Sequence, residues 1–383
     1  MKKRLFTPGP TPLPEEVKLS QAKDIIHHRT LEFSQIFKEV CEDLRYIFQT
    51  KNDVLVFAAS GTGAMEAVVV NLLSPGDTVL VVRGGKFGER WEEISKTFGL
   101  NFIPIDVKWG KSVDPTLIEE KLKENRDIKA VFTQLVETST GVINDIERIG
   151  KIVSKTSSVL VVDAISGLVA EPLYMDDWKI DVVVAGSQKG IMLPPGLSFV
   201  ALSEKAWKMV EKSTFPKYYW DFKKAKDSLT KGQTPYTPAI SLICALKESL
   251  RLIKKEGLDK IIERHCLLAE ATRRAVSSLG LEIFADPPSN VVTAILVPEG
   301  IDEKELRRKM RENYGVIVAG GQGKLSGKII RIAHLGWMDK LDIIGVISAL
   351  EMALTELGYE IELGKGVKAA EEVLTEKMQE VVG

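Results

Sequence analysis

One short segment sets the fold of this chain: Val182-Val183-Val184-Ala185-Gly186-Ser187-Gln188-Lys189-Gly190. It begins with consecutive apolar residues, a pattern typical of a strand that is covered on both faces of a sheet. Lys189 follows just beyond the carboxyl end of that strand, which is where α/β sheets bind their ligands. Most lysines in such loops are simply solvated, so the meaning of Lys189 depends on the residues around it.

Short apolar runs alternate with longer helical patterns between residues 54 and 201. Such alternation is typical of βαβ units, in which helices cover both faces of a mostly parallel sheet. The predicted strands are, in chain order, Val54–Phe57, Thr78–Val82, Asn101–Ile105, Ala130–Gln134, Val159–Asp163, Val182–Ala185 and Ser198–Leu202. We therefore predict an α/β fold, with a mostly parallel sheet flanked by helices in a large domain over residues 17–256.

The order of predicted elements changes after the last of these strands. A helix over Pro238–Leu252 is followed by a smaller set of alternating elements. Their predicted bounds are Leu258–Ser278, Leu281–Phe284, Val291–Val297, Asp302–Tyr314, Val316–Val318, Lys328–Ala333 and Lys340–Leu357. This order predicts a smaller α+β C-terminal domain over residues 257–383, with its boundary near Lys255–Gly257.

The end of the chain, Gly366–Val382, carries a helical stripe of apolar residues. The members of the stripe are Val367, Ala370, Leu374, Met378 and Val381. We expect this helix to pack on its own domain or on a partner subunit rather than on a membrane, because the stripe covers only one face.

The composition narrows the class of partner. The chain has 383 residues with 52 Lys and Arg against 53 Asp and Glu, so no overall charge favours nucleic acid or an anionic membrane. No stretch approaches the ~18 apolar residues of a membrane span, and the N-terminus reaches proline before any apolar core of a signal peptide. Cys41, Cys244 and Cys266 are far apart, odd in number and lack C-x-x-C spacing, which argues against a disulfide scaffold or a zinc site and favours a reducing, cytoplasmic setting. We therefore expect a small-molecule partner.

An acidic residue accompanies Lys189 at the same edge of the predicted sheet. The strand Val159–Asp163 ends in Asp163, which alone fits an ordinary polar cap at the end of a strand. Together, an amine and a carboxylate are what pyridoxal 5′-phosphate requires. The amine forms a Schiff base, and the carboxylate keeps the pyridinium nitrogen protonated so that the ring can accept electrons. The pair Lys189 and Asp163 therefore predicts a pyridoxal phosphate site.

A phosphate site is predicted where the first strand ends. Ser60, Gly61 and Thr62 follow the strand Val54–Phe57 and lead into a helix that we expect to open at Ala64. Free backbone N–H groups and the dipole at a helix N-terminus bind anions. A serine or threonine N-cap beside a glycine turn explains the same residues without a ligand, so both interpretations stay open.

An aromatic residue lies between glycines after the second predicted strand, in Gly84-Gly85-Lys86-Phe87-Gly88-Glu89-Arg90. At the edge of the sheet, the Phe87 ring could stack on a flat cofactor. The alternative is an ordinary phenylalanine of the hydrophobic core, and the residues alone favour stacking only slightly.

Several motifs occur in an order that resembles the class V aminotransferases. They are Thr7-Pro8-Gly9-Pro10, Ser60-Gly61-Thr62, Gly85-Lys86-Phe87-Gly88-Glu89-Arg90, Glu137-Thr138-Ser139-Thr140-Gly141, Val162-Asp163-Ala164, Gly186-Ser187-Gln188-Lys189, Pro194-Pro195-Gly196, Tyr236-Thr237-Pro238 and Lys328-Ile329-Ile330-Arg331-Ile332. Within that family the chain is similar to the alanine–glyoxylate and serine–pyruvate aminotransferase branch of the fold-type-I pyridoxal phosphate enzymes. The resemblance spans residues 5–350.

The resemblance implies a role for each matching position. Lys189 would be the Schiff-base lysine and Asp163 the pyridinium partner, and both would be catalytic. The residues that would bind the cofactor are Ser60, Gly61, Thr62, Phe87, Thr138, Asp163, Ile165, Gln188, Lys189, Tyr236 and Thr237. Among them, Phe87 would stack on the ring, and Thr138 would hydrogen-bond its phenolic oxygen. Thr62 departs from relatives that have histidine there.

The resemblance also implies how substrate and subunits are arranged. Arg331 would bind the substrate carboxylate in a bidentate fork, and Gly9, in an N-terminal segment of residues 1–16, would lie over the substrate. Without the resemblance, Arg331 is interpreted as a surface-facing arginine of a strand. Tyr236 and Thr237 would reach in from the neighbouring subunit of a homodimer with shared active sites. His28-Arg29 would lie near the entrance or the dimer interface.

The implied activity is amino transfer by a ping-pong mechanism from alanine or serine to glyoxylate or pyruvate, with Lys189 moving the Cα proton. A class V transaminase that takes aspartate or 2-aminoethylphosphonate as donor remains an alternative. A cysteine desulfurase-like lyase needs a cysteine on a mobile loop, whereas all three cysteines lie in helical patterns. A non-catalytic scaffold needs the loss of Lys189 or Asp163, and both are present.

Overall fold

A computed structural model of the chain describes residues 1–382 and the side chains of residues 1–376. The strands, in chain order, are β1 (Arg4–Phe6), β2 (Val54–Phe57), β3 (Thr78–Arg83), β4 (Asn101–Asp106), β5 (Ile128–Gln134), β6 (Val136–Glu137), β7 (Val142–Ile143), β8 (Val159–Asp163), β9 (Val182–Gly186), β10 (Ser198–Leu202), β11 (Val292–Leu296), β12 (Val316–Gly320) and β13 (Ile329–Ala333). The helices are α1 (Glu15–Ser20), α2 (Leu31–Phe48), α3 (Gly61–Leu72), α4 (Lys86–Thr97), α5 (Pro115–Glu124), α6 (Ile146–Val153), α7 (Glu204–Val210), α8 (Phe222–Leu229), α9 (Ile240–Glu256), α10 (Leu258–Ser278), α11 (Glu303–Tyr314), α12 (Lys340–Glu356) and α13 (Lys365–Val382).

The larger sheet has seven strands in the spatial order β2-β10-β9-β8-β5-β3-β4. Only β10 runs antiparallel to its neighbours β2 and β9, and the other pairs are parallel. The carboxyl ends of β2, β3, β5, β8 and β9 therefore meet at one edge of the sheet. This mostly parallel sheet flanked by helices confirms the predicted fold class.

Helices cover both faces of this sheet. In β8, Leu160 and Val162 belong to one hydrophobic cluster, which includes Leu44 of α2. The alternate residues Val159 and Val161 belong to a second cluster, which includes residues of α3 on the opposite face. Two-sided burial explains why these strands are apolar at successive positions instead of alternating with polar residues.

The predicted strands of the large domain agree with the structure to within two residues at their ends. The largest difference is β5, which begins at Ile128 rather than at Ala130. The helix predicted over Pro238–Leu252 instead spans Ile240–Glu256. Helix ends depend on capping contacts that periodicity does not report, so differences of this size are expected.

The predicted strand Leu281–Phe284 is wrong. Its backbone makes hydrogen bonds with β11, including Phe284 N to Ala294 O at 2.8 Å, but only Ile283 forms a bridge. The chain then turns toward the large domain, where Asp286 N donates to Gly110 O at 2.8 Å. The apolar residues of this segment indicated a strand but could not show that the pairing stops so early.

The smaller sheet has the order β1-β12-β13-β11, so its first strand comes from the N-terminus of the chain. Arg4–Phe6 pairs in parallel with β12, with Phe6 opposite Val318. Neither β1 nor the short hairpin β6–β7 was predicted, because strands of two or three residues carry no measurable periodicity. The N-terminal segment of residues 1–16 is therefore tied to the sheet of the small domain.

The C-terminal helix α13 packs on its own domain. Ala370, Val373 and Leu374 are buried in one cluster with Leu268 of α10 and Leu350 of α12. Met378 and Val381, which complete the predicted stripe, lie outside the described side chains. A search of the described residues finds no helix with the length and apolarity needed to cross a membrane.

Candidate active site

Lys189 lies directly after β9, under the N-terminal segment. Its Nζ donates a hydrogen bond to the backbone oxygen of Pro8, and Thr11 Oγ1 donates to Lys189 O at 3.2 Å. A Cβ atom added to Gly9 would lie only 2.6 Å from Lys189 Nζ, so the close approach requires glycine. The backbone of Gly9 has φ +126, which glycine also adopts more readily than other residues. The structure thus places Gly9 against Lys189.

Asp163 ends the neighbouring strand β8 and is only 5% exposed. Its Oδ1 accepts a hydrogen bond from Ile165 N at 2.8 Å. Burial raises the pKa of Asp163 to about 7; the Glu137 charge adds to this shift, while the Ile165 bond and the charges of Arg90 and Lys189 oppose it. A buried carboxylate of this kind favours a cationic partner.

Burial also lowers the pKa of the Lys189 amine to about 8. Asp163 opposes this shift, whereas the positive charges of Arg331 and Arg90 reinforce it. The pKa values of both groups are therefore shifted toward neutral pH, which is the range that acid–base catalysis requires. Lys189 is only partly exposed and its amine donates to Pro8 O beneath the N-terminal segment, so the solvated-loop interpretation of Lys189 is wrong.

The start of α3 faces the same edge. The helix begins at Gly61 rather than at the predicted Ala64, and Ser60 is its N-cap residue with an extended backbone. Among the described residues, the Ser60 side chain makes no capping hydrogen bond, so this N-terminus is not closed by the ordinary N-cap contact. The first N–H groups of the helix, including those of Gly61 and Thr62, have no partner within the helix.

Two other predicted residues, Ile165 and Gln188, lie beside this helix start. A Cβ atom at Gly61 would lie 2.4 Å from the Ile165 side chain, and one at Gly186 would lie 3.3 Å from Gln188 Oε1 and 3.7 Å from Gly61 N. Gln188 Oε1 is buried, with no hydrogen-bond partner in the described part of the chain. An unpaired buried oxygen and a tight backbone approach fit a site that a ligand completes.

Phe87 lies in the first turn of α4 and is partly exposed, so it is not the core phenylalanine of the alternative interpretation. The guanidinium carbon of Arg90 lies 4.8 Å from the centre of its ring. Arg90 Nη1 also donates to Thr62 Oγ1 at 3.2 Å. Arg90 therefore links the candidate stacking ring to the candidate phosphate site, a role that its sequence position did not reveal.

Glu137 is a functional candidate that the sequence analysis missed. Its buried carboxylate accepts hydrogen bonds from Phe87 N at 3.1 Å and Gly88 N at 3.0 Å, and also from Ser139. Burial raises the pKa of Glu137, although these hydrogen bonds oppose the shift. A Cβ atom at Gly85 would lie 2.5 Å from the carboxyl carbon of Glu137. The glycine at position 85 was therefore the feature of the sequence that could have indicated this contact. Glu137 fixes the helix end that carries Phe87.

Arg331 lies in the middle of β13 and is only 4% exposed, so its interpretation as a surface-facing arginine is wrong. Its Nη1 donates to Thr138 O at 2.9 Å, and its Nε donates to Gly320 O at 3.0 Å. Burial lowers the pKa of Arg331 to about 10, and the Glu137 charge opposes this shift. Arg331 is therefore a fixed cation beside Thr138, whose Oγ1 donates to Ser166 Oγ at 2.5 Å.

Tyr236 and Thr237 lie in the segment that precedes α9. The Tyr236 ring is stacked between Tyr218, at 5.5 Å, and Tyr219, at 5.6 Å, and its hydroxyl donates to Tyr218 O at 3.0 Å. Arg29 Nη1 supports the same segment by donating to Thr234 O at 2.9 Å. Within the described residues of one chain, no hydrogen bond joins Tyr236 or Thr237 to Lys189.

The three cysteines are unpaired and lie in the helices α2, α9 and α10. No cluster of His, Cys, Asp and Glu side chains among the described residues is arranged to hold a metal ion. The helical positions agree with the sequence analysis, which expected no mobile-loop cysteine.

Comparison with known proteins identifies a family. The family model described as "Aminotransferase class-V" matches residues 12–333. The chain is 36% identical to a protein named serine–glyoxylate aminotransferase from Methylorubrum extorquens, over 97% of this chain and 96% of that protein. It is 45% identical, over 97% and 98% of the two lengths, to an Anabaena cylindrica protein named the 42 kDa subunit of a soluble hydrogenase.

A solved structure agrees with these sequence matches. The ureidoglycine–glyoxylate aminotransferase of Bacillus subtilis superimposes with a TM-score of 0.94 at 29% identity, covering 98% of each chain. The family match begins at residue 12 and ends at residue 333, so it includes both Lys189 and Asp163. This chain therefore belongs to the class V aminotransferase family.

Proposed function

We propose that this chain moves an amino group from a small amino acid, alanine or serine, to a 2-oxo acid, glyoxylate or pyruvate, with pyridoxal 5′-phosphate as its cofactor. The observation that carries the proposal is the meeting of three buried groups. The Lys189 amine is close enough to Asp163 and Arg331 for both charges to shift its pKa. An amine, a carboxylate and a cation are what an amino-transfer site needs to hold cofactor and substrate.

The chain has a residue for each part of the cofactor. Lys189 would hold it covalently, Asp163 would pair with the pyridine nitrogen, and Phe87 would stack on the ring. The phosphate would bind to Ser60, Gly61, Thr62 and Gln188, with Thr138 near the phenolic oxygen and Ile165 against the ring. The unpaired Oε1 of Gln188 and the uncapped start of α3 support this assignment. When bound, the cofactor supplies an electron sink that stabilises negative charge on the substrate carbon.

The side chains of the site divide the remaining work. Lys189, whose pKa is about 8, would take the proton from the Cα of the donor and pass it to the cofactor carbon that receives the amino group; with the acceptor it would move a proton in the opposite direction. Arg331 would hold the substrate carboxylate so that the Cα–H bond faces Lys189. The segment around Gly9 would cover the site and exclude water, since it already lies against the Lys189 amine.

Two further properties follow from this proposal. The reaction would show ping-pong kinetics, because the first 2-oxo acid leaves before the second binds. The active form would be a homodimer in which Tyr236 and Thr237 complete the phosphate site of the neighbour. Leu31 is 90% exposed and Ile25 is 72% exposed, so both apolar side chains would be available to a subunit interface. The unpaired cysteines support a cytoplasmic location.

A donor panel tests the proposed activity. Alanine, serine, aspartate and 2-aminoethylphosphonate would each be mixed with the cofactor-loaded enzyme, and the absorbance of the bound cofactor would be followed. Alanine or serine should convert the cofactor to its amine form, and glyoxylate or pyruvate should reverse the change. Conversion by aspartate or 2-aminoethylphosphonate alone would correct the donor. If no donor converts the cofactor, the proposed aminotransferase activity is wrong.

A further inference from the structure

Glu171 is a buried carboxylate that the proposed reaction does not use. It is 2% exposed and ends the segment that follows Asp163. Its side chain accepts hydrogen bonds from the backbone N of Asn290 and from Asn290 Nδ2, the latter at 3.1 Å. Asn290 belongs to the small domain, so this carboxylate joins the two domains across a buried contact.

On the large-domain side, the segment that ends in Glu171 is fixed against Lys189. A Cβ atom at Gly190 would lie 2.4 Å from Leu168 O, so the backbone after Lys189 touches this segment directly. Ala170 N and Glu171 N both donate to Gly167 O, at 2.9 and 2.8 Å, and thus form a tight turn. The position of Glu171 is therefore set by the same backbone that positions the Lys189 amine.

On the small-domain side, Asn290 leads into β11, which pairs with the strand of Arg331. Ala294 of β11 lies directly opposite Arg331 in the antiparallel register. His334 Nδ1 lies 2.8 Å from Asn290 O, and a carbonyl oxygen can only accept, so Nδ1 carries the proton. His334 Nε2 then accepts from Thr293 Oγ1 at 3.0 Å. Asn290 is thus held to both strands of the pair, at the end where Val292 lies opposite Ala333.

Charge around Glu171 is partly balanced by Arg273, which donates to Ser289 O at 3.1 Å and to Asn290 Oδ1 at 3.4 Å. Burial raises the pKa of Glu171 to about 7, whereas the Asn290 donors and the Arg273 charge oppose the shift. Burial lowers the pKa of the nearby His334 to about 3, so its imidazole is neutral. When Glu171 is ionised, its hydrogen bonds from Asn290 are stronger than hydrogen bonds between neutral groups.

We propose that Glu171 is a positioning residue that sets the distance between Lys189 and Arg331, and thereby the affinity of the enzyme for the substrate carboxylate. The inference rests on the proposed function, in which Lys189 and Arg331 hold two ends of one small substrate. Glu171 touches neither end. It acts through the backbone of residues 164–171 on one side and through Asn290 and β11 on the other.

The test compares Glu171→Gln with Glu351→Gln in the cofactor-loaded enzyme. Glu351 is a matched control because it is also 2% exposed and accepts backbone hydrogen bonds, from Gly364 N at 2.8 Å and Gly366 N at 2.6 Å, far along the C-terminal segment. Glu171→Gln should raise the KM for the amino donor about tenfold, the effect of losing roughly one charge-assisted hydrogen bond. The kcat should stay within about twofold, and the inhibition constant for acetate should rise by the same factor as KM. Glu351→Gln should change none of these values.

Equal KM values for Glu171→Gln and Glu351→Gln, or a fall in kcat with KM unchanged, would overturn the positioning role. If Glu171→Gln does not fold, Glu171→Asp keeps the charge but shortens the side chain, and it should raise KM because the shorter carboxylate no longer reaches both Asn290 donors; an unchanged KM in that variant also overturns the role. Hydrogen exchange provides a readout without catalysis: the amides of residues 290–293 should exchange faster in Glu171→Gln and not in Glu351→Gln. If no donor reacts even with the wild-type enzyme, the proposed function fails while the exchange result still decides whether Glu171 holds Asn290.

Discussion

At the scale of single residues, the site depends on two buried groups whose pKa values converge. The pKa of Asp163 rises to about 7 and that of Lys189 falls to about 8, in both cases mainly because burial disfavours charge. Each charge favours the other, which limits both shifts. Without a cofactor, the charged form of Asp163 is therefore unfavourable, and a cationic ligand would stabilise it.

The first prediction concerns the stability of the cofactor-free chain with Asp163→Asn. The pKa of Asp163 is about 7 in the folded chain against 3.8 for an unperturbed carboxyl, so between these values the folded state holds a proton that the unfolded state has lost. Stability from this group therefore falls as the pH rises from about 4 to about 7, by about 4 kcal/mol at most. Urea unfolding should show Asp163→Asn more stable than wild type at pH 8 and equal to it near pH 4.

Asp181→Asn is the control for that experiment, because Asp181 is also buried but accepts hydrogen bonds from Leu160 N at 3.0 Å and Ser203 Oγ at 2.7 Å. It should destabilise the chain at pH 8, opposite in sign to Asp163→Asn. With the cofactor bound, Asp163→Asn should lower kcat by about 10²-fold or more, a loss typical of removing a charge from a preorganised site. A variant as active as wild type, or a stability difference independent of pH, would contradict the role of Asp163.

The sequence was sufficient to predict that Lys189 and Asp163 lie at one edge of the sheet, because each lies at the carboxyl end of an apolar strand. Their roles stay predictions. The sequence was not sufficient to predict the role of Glu137. The N–H groups that donate to its carboxylate belong to Phe87 and Gly88, in a helix that lies some fifty residues earlier in the chain. The burial of Arg331 was also hidden. A single arginine between apolar residues is equally compatible with a strand that has one face in solvent. Only the burial of both faces of β13 excludes that interpretation.

At the scale of single elements, the N-termini of the helices α3 and α4 determine where the residues of the site lie. The helix α4 begins at Lys86, and Glu137 accepts from the second and third N–H groups of that helix, a contact that an anion makes favourably at a helix N-terminus. The start of α3, by contrast, lacks a side-chain cap from Ser60. One helix N-terminus is thus satisfied by the protein, and the other is the one to which we assign the phosphate of the proposed cofactor. Periodicity predicted that both helices exist but not how their ends are satisfied.

The second prediction concerns Glu137→Gln, which places an amide NH₂ group against backbone donors. The variant should lose about 1–3 kcal/mol of unfolding free energy, the penalty for buried polar groups left unpaired. Since Phe87 lies on the loosened turn, cofactor affinity should fall about tenfold, and titration of the apoenzyme with pyridoxal 5′-phosphate would measure it. Phe87→Ala is the matched variant, which should weaken cofactor binding without the loss of stability. Unchanged affinity in Glu137→Gln would show that Glu137 does not position the ring.

The third prediction compares two glycines with positive φ. A Cβ atom added to Gly9, which has φ +126, would lie 2.6 Å from Lys189 Nζ. A Cβ atom added to Gly76, which has φ +83, would meet no atom within 4 Å. Both alanine substitutions should cost about 1 kcal/mol from backbone strain. Only Gly9→Ala should displace Lys189 and lower kcat/KM more than about tenfold. Steady-state kinetics would measure this difference, and equal activities of the two variants would show that the N-terminal segment does not bear on the site.

At the scale of the whole molecule, the two sheets bring the ends of the proposed substrate site together. Lys189 follows a strand of the seven-stranded sheet, whereas Arg331 lies in the four-stranded sheet that β1 joins. The order of elements predicted both parts of the fold. It did not predict that the first residues pair with β12, because that pairing spans about three hundred residues and rests on three of them.

The fourth prediction concerns shared active sites. Lys189→Ala and the double variant Tyr236→Ala/Thr237→Ala should each be impaired alone, since each lacks one part of every site. After unfolding and refolding as a mixture, half of the dimers are hybrids that contain one intact site, so about a quarter of the wild-type activity should return. Analytical ultracentrifugation would confirm the dimer. A mixture no more active than its components, or a monomeric wild type, would contradict a site shared between subunits.

The covalent attachment of the cofactor tests the central claim most directly. The chain would be loaded with pyridoxal 5′-phosphate, reduced with borohydride so that the cofactor stays on the amine that holds it, digested and mapped by mass spectrometry. The account predicts the added mass on Lys189, the buried amine beside Asp163 whose pKa is about 8. A label on any other lysine, or none on Lys189, would contradict it.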